Sequence, residues 1–183
     1  MTNRLNYLLL AFVLMIFAAG CGEDEDPLIE NEEEVITSVT LTFTPFAGAT
    51  ETVVYGFSDP DGDGGSAPNF SYTGVLQAGA VYSSQVSFGN ETGTIDAEIV
   101  AEGADHQVFI ANTADILFAY NDTDANGDPL GLLTTANVTA AGTGSLTLTL
   151  RHEPVKSALI GITSLDVAGG ETDVEVTFDV TIQ

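Results

Sequence analysis

Along several stretches of this chain, apolar and polar residues alternate with a period of two, the pattern of a strand with one buried face. In Val35-Ile36-Thr37-Ser38-Val39-Thr40-Leu41-Thr42-Phe43, the residues Val35, Val39, Leu41 and Phe43 share one face, with Thr40 and Thr42 on the other. Thr52–Phe57, Ala80–Phe88, Gln107–Ala111, Ile116–Tyr120, Ser145–Arg151 and Asp173–Ile182 read the same way. The last run sends Val174, Val176, Phe178, Val180 and Ile182 inward and Glu175, Thr177, Asp179 and Thr181 outward. β-Branched and aromatic residues fill these runs, and clusters of Gly, Asn, Asp and Pro separate them. Short strands with frequent turn signals predict an all-β fold for residues 35–183, a single two-sheet antiparallel sandwich of immunoglobulin-like type. One segment breaks the period. Thr94–Gly103 opens on a capping-type Thr and closes on a Gly, with Ile95 and Ile99 one helical turn apart, which predicts one short helical insert.

The first residues follow a different rule. Met1–Gly20 carries Arg4, no acid, and the unbroken apolar run Leu8–Ala19. That run falls short of the roughly 20 residues that span a bilayer. A basic start, a short apolar stretch and small residues before a cut site predict a secretory signal over residues 1–20. Phe17-Ala18-Ala19-Gly20-Cys21 resembles the bacterial lipobox, in which the Cys thiol receives diacylglycerol and becomes the mature N-terminus; Ala18 stands where Leu is commoner. Cys21 is therefore the expected lipidation site and the expected link to the lipid bilayer. The plainer alternative is a signal peptide beside an incidental Cys. Residues 21–34 then carry Glu23, Asp24, Glu25, Asp26, Glu30, Glu32, Glu33 and Glu34, an acidic tether with too little apolar surface to fold. Acids directly after the lipid Cys resemble the surface-export signal of Bacteroidota lipoproteins, implying the outer leaflet of the outer membrane; a solvated periplasmic spacer is the other reading.

Charge narrows the function classes. Across 183 residues there are 27 Asp and Glu against 3 Lys and Arg, a formal net charge of −24. Binding nucleic acid requires cationic side chains that displace counterions from phosphates, so no nucleic-acid partner is expected. Adsorption to anionic lipid headgroups fails by the same sign. Cations remain. The lone Cys excludes an intramolecular disulfide and a Cys-based zinc cluster. With Arg4 in the leader, Arg151 and Lys156 are the only basic side chains of the mature chain. Lys156 follows the strand-ending Pro154 and is expected to make a local interaction.

Two loops share a pattern. Phe57-Ser58-Asp59-Pro60-Asp61-Gly62-Asp63-Gly64 and Tyr120-Asn121-Asp122-Thr123-Asp124-Ala125-Asn126-Gly127 each place acid or amide oxygens at alternate positions before a Gly. Such oxygens converge when the chain turns sharply, and calcium takes six to eight of them. Asp59, Asp61, Asp63, Asp122, Asp124 and Asn126 are thus calcium candidates. The position of the bidentate Glu in an EF-hand loop is held by Phe70 and Leu133, so further ligands would come from elsewhere. The alternative is that these residues only cap turns. Glu98, Glu102 and His106 stand four apart, one face if a single helix ran through them, and with His152 they form the transition-metal candidate set, zinc above all. Against that, His106 precedes Val108 and Ile110 in phase, and His152 follows Leu146, Leu148 and Leu150 in phase, so each fits the end of a core-facing row. Gly169–Asp173 reads as a turn into the last strand, without a function. No G-x-S-x-G elbow and no phosphate-cradling Gly loop is present, and no enzyme chemistry is expected.

The order of lipobox, acidic tether, Phe57-x-Asp-Pro-Asp-Gly-Asp-Gly-Gly65, Glu98-x3-Glu102-x3-His106, Tyr120-x-Asp-x-Asp-x-Asn-Gly127, Leu150–Lys156 and Gly169–Asp173 resembles a Bacteroidota envelope lipoprotein family labelled type 1 periplasmic binding fold superfamily protein. The resemblance implies an envelope lipoprotein working beside a TonB-dependent transporter, and supplies no site residues. Its label implies an α/β fold, whereas the alternating runs predict β. The expected function is a surface-exposed outer-membrane lipoprotein that binds a metal ion or small ligand as an accessory to TonB-dependent uptake. The alternative is a structural or adhesive interaction module of the envelope.

Overall fold

Strand β1 (Ser38–Ala47) lies between β2 (Val53–Ser58) and β4 (Val81–Asn90). Outside β2 sits β3 (Asn69–Thr73); outside β4 sit β8 (Leu133–Val138) and then β7 (Ile116–Tyr120). The large sheet has seven strands in the order β3-β2-β1-β4-β8-β7, with the two-residue β5 (Gly93–Thr94) paired to β4. A second sheet has three strands in the order β10-β9-β6, formed by β10 (Glu171–Ile182), β9 (Gly142–His152) and β6 (His106–Asn112). Every strand pair is antiparallel. This is the all-β, two-sheet antiparallel sandwich that the alternating runs predict. It comes from a computed structural model that describes residues 35–62, 65–157 and 159–183. The expected signal peptide, Cys21, the acidic tether and Asp63 lie outside the described residues.

The core follows the period-two pattern. Val39, Leu41 and Phe43 of β1 are fully buried, as are Leu146 and Leu150 of β9 and Phe178 of β10. Val176, Val180 and Ile182 complete the inner row of β10, with Val174 half-buried at its start. Val35 departs from its expected place: it precedes β1 and is 72% exposed, because pairing begins only at Ser38. Two strands go beyond the alternating runs. β3 is exposed along its whole length, and β8 turns Thr134, Ala136 and Val138 inward, so neither carries a strong apolar row.

The helical insert is shorter than expected. Helix α1 covers Asp96–Ala101 and buries Ile99. Thr94 does not cap it; Thr94 belongs to β5, and the Asp96 carboxylate instead accepts the Phe88 N–H at 2.8 Å. A second short helix, α2 (Leu165–Ala168), lies between β9 and β10.

Sheet edges are covered unequally. The outer edge of β6 is occupied by other chain segments, with Val108 N–H donating to the Leu130 carbonyl at 2.8 Å and Ile110 N–H to the Ile162 carbonyl at 3.0 Å. The end of β10 is closed by Gln183 N–H donating to the Leu76 carbonyl at 2.9 Å. β3 has no such cover among the described residues. Its Phe70 and Tyr72 instead lean across to Phe178 of the opposite sheet, with ring centroids 5.9 and 6.5 Å away. Phe178 therefore joins the two layers at their open side. Phe178→Ala is expected to lower unfolding free energy by about 3–5 kcal/mol in urea titrations, whereas Leu117→Ala, at a position 64% exposed, changes it by less than about 0.5 kcal/mol.

Candidate functional site

The second aspartate loop is built from Tyr120 outward. Its hydroxyl donates to the Val108 carbonyl at 2.8 Å and accepts from Gln107 Nε2 at 3.0 Å. Burial, set against the Gln107 hydrogen bond and reinforced by the nearby Asp122 charge, pushes its phenol pKa up to about 12. The group therefore stays neutral and donating. Gly131 packs beneath the ring at φ +93°, where a Cβ would come within 2.8 Å of both the Tyr120 ring and the Val108 carbonyl. The aromatic ahead of the loop is thus a brace between the two sheets.

The carboxylates of this loop are already engaged. Asp122 accepts the N–H groups of Gly131 at 2.7 Å and Leu133 at 2.8 Å. Asp124 accepts those of Asn126 at 2.8 Å and Asp128 at 3.0 Å. Its other oxygen lies 2.8 Å from the ammonium of Lys156, with the two side chains only 1% and 6% exposed. Lys156 also donates to the carbonyls of His106, at 2.8 Å, and Gly103. Burial disfavours the Asp124 anion, but Lys156 and the two backbone N–H groups outweigh it, and the carboxyl is held below its usual range. The side chains of Asp122 and Asp124 are anchored in different directions, and Asn126 is exposed. The local interaction expected of Lys156 is a buried ion pair with Asp124.

In the first loop, Asp59 and Asp61 are described. Asp61 accepts the Ser66 N–H at 2.7 Å, and that bond is the leading cause of its lowered pKa. It closes its own turn in this way. Asp59 Oδ1 is buried without a hydrogen-bond partner among the described residues.

The transition-metal candidates separate. Helix α1 ends at Ala101 and His106 opens β6, so Glu98, Glu102 and His106 do not share a helical face. Glu98 and Glu102 are exposed. Glu102 meets His106 through its backbone carbonyl, 3.2 Å from Nδ1. The two histidines do come together. They are register partners on β6 and β9, and their rings stack at 5.1 Å with an interplanar angle of 18°. Asp173, read in the sequence as part of a plain turn, joins them. The ladder between β9 and β10 slips between Thr172 and Val174, leaving Asp173 as the extra residue of a bulge. A bulge re-aims its side chain. The Asp173 carboxylate, 1% exposed, lies 3.6 Å from His106 Nε2. The two ring nitrogens of His106 thus face the Glu102 carbonyl on one side and the Asp173 carboxylate on the other. Among the described residues, no group of three or more His, Cys, Asp or Glu is arranged to hold a metal ion. No protein-family model, curated protein or solved structure matches the chain.

Removing one partner of a buried ion pair leaves the other charge uncompensated. Lys156→Met is expected to cost about 3 kcal/mol in chemical denaturation, since Asp124 and two carbonyls lose their donor. The lowered Asp124 value also sets a pH dependence. The native pair binds fewer protons than the unfolded carboxyl, so its contribution is full above the unfolded value near 3.8 and is lost as pH falls through the native one. Melting curves of Asp124→Asn should therefore change less than wild type between about pH 5 and about pH 3.

Proposed function

We propose that this chain is a lipid-anchored protein of the outer-membrane surface whose β-sandwich is a non-enzymatic binding module for a small ligand, working as an accessory to TonB-dependent uptake. The observation that carries the reading is an open groove of about 300 Å³, lined by Tyr55, Tyr72, Gly74, Val75, Asp179 and Thr181. It lies where the end of β3 approaches β10. Two aromatic rings, a carboxylate and a hydroxyl meet there in a concave surface, the usual make-up of a ligand site. The Phe17–Cys21 lipobox and the acids that follow support the anchor and the surface address. Calcium or zinc as the ligand has less support, because Asp122 and Asp124 already accept backbone N–H groups and the Lys156 ammonium.

A second reading, the structural or adhesive module, rests on β3. It is an outermost strand, all its residues are exposed, and its outer backbone is open to pairing with another chain.

Amide NMR spectra of the folded domain, titrated with small amines, amino acids and neutral sugars, test the groove. Shifts centred on Tyr72, Gly74, Val75 and Thr181 are the expected result. Shifts confined to Asp59–Asp61 and Asp122–Asn126 on adding calcium would move the function to metal binding. In cells, Cys21→Ser is expected to release the protein from the membrane pellet; retention there would remove the lipid anchor.

A further inference from the structure

We infer that the Tyr55–Tyr72 groove takes an organic cation, with a methylated ammonium group as its best fit. The inference rests on the groove being the binding site and names the chemistry of its ligand. Charge is the first observation. Asp179 lines the groove, and Glu51 lines an adjoining hollow of about 570 Å³ that shares Val75 with it. Among the described residues, no Lys, Arg or His lines either surface. An anionic ligand finds no partner there, and in a chain of net charge −24 the field favours cations before contact is made.

The aromatic geometry is the second observation. Tyr55 and Tyr72 meet edge to face, with centroids 5.3 Å apart and planes at 68°. Tyr72 is 47% exposed, so part of its ring borders the groove, while Phe178 supports it from the core side at 6.5 Å. A π face attracts a cation through its quadrupole, most strongly a weakly hydrated one. The exposed Tyr72 ring, backed by buried Tyr55 and with the Asp179 carboxylate lining the same groove, suits a bulky ammonium better than a compact, strongly hydrated sodium ion.

Tyr55 is the third. It is 3% exposed, yet it lines the groove. Burial first, and then Tyr72 and Tyr82, push its phenol up to about 12, so it remains neutral at working pH. A neutral phenol keeps an acceptor lone pair for an ammonium N–H or a ligand hydroxyl.

The test compares choline with its neutral carbon isostere, in which a tert-butyl group replaces the trimethylammonium. The chain has five Tyr and no Trp, so tyrosine emission, to which Tyr55 and Tyr72 contribute, is not masked by a stronger fluorophore. Amide NMR localises the response. At matched ionic strength, choline should bind at least about tenfold more tightly than the isostere. Tyr72→Ala and Asp179→Asn should each weaken it about five- to tenfold, with unchanged far-UV circular dichroism. Equal binding of choline and the isostere in the groove overturns the cation class and leaves the groove standing. A groove that shifts with neutral sugars and not with choline does the same. Choline shifts that persist in both variants overturn the inference and the groove together.

Discussion

The ammonium of Lys156 is the fastening on which one end of the sandwich depends. The residue follows β9 of the small sheet. It reaches Asp124 in the loop after β7 of the large sheet, and it caps the carbonyls of Gly103 and His106 at the entry to β6. Three segments distant in sequence meet on one side chain. No disulfide does this work, since the only Cys is at position 21, ahead of the domain. A buried ion pair is weak evidence of stability by itself, because desolvating two charges consumes much of the Coulombic gain. Here the lysine also satisfies two carbonyls that an apolar replacement would leave without a donor. Its conformational role is therefore not replaceable by packing alone.

That fastening changes the meaning of the aspartate pattern. Alternate oxygens before a Gly are what a calcium loop needs, and they are equally what a tight turn needs when it must accept several N–H groups. In the second loop those oxygens already have partners, a cation among them. Asp124 has an internal one in Lys156, and Asp122 spends both oxygens on Gly131 and Leu133. Asp173 is also turned inward, by its bulge, and its carboxylate lies beside His106.

How far the sequence reveals this depends on the interaction. Strands with an apolar row, such as Val39-Leu41-Phe43 and Val176-Phe178-Val180-Ile182, are legible because burial imposes period two directly. β3 and β8 are hidden: the first packs only its aromatics against a neighbouring edge, and the second fills its inner row with Thr134, Ala136 and Val138. The meeting of His106 and His152 was half visible, since each ends a core-facing row in phase. Their pairing needs the register of β6 against β9, which only long-range hydrogen bonding sets. Asp173 was invisible for the same reason. A bulge is a mismatch between two strands, and no single strand records it. The Glu98–Glu102–His106 spacing misled because it assumes one helix, and that helix ends at Ala101. The groove, too, needs the approach of β3 to β10, two strands far apart in the chain.

The acidity of the domain is thus of two kinds. Asp124 and Asp173 face inward, against Lys156 and His106, and shape the fold. Among the described residues, Glu51 and Asp179 make no ion pair with a basic side chain, and their field extends into solvent over about a Debye length. A concave surface with aromatic walls focuses that field and lowers the cost of dehydrating a soft cation. On the proposed reading, such a groove disfavours anions and sorts cations by size and hydration. On that reading the lining counts by what it leaves out as well as by Tyr72 and Asp179: among the described residues no Lys, Arg or His lines the groove, so no positive charge there competes with a cationic ligand.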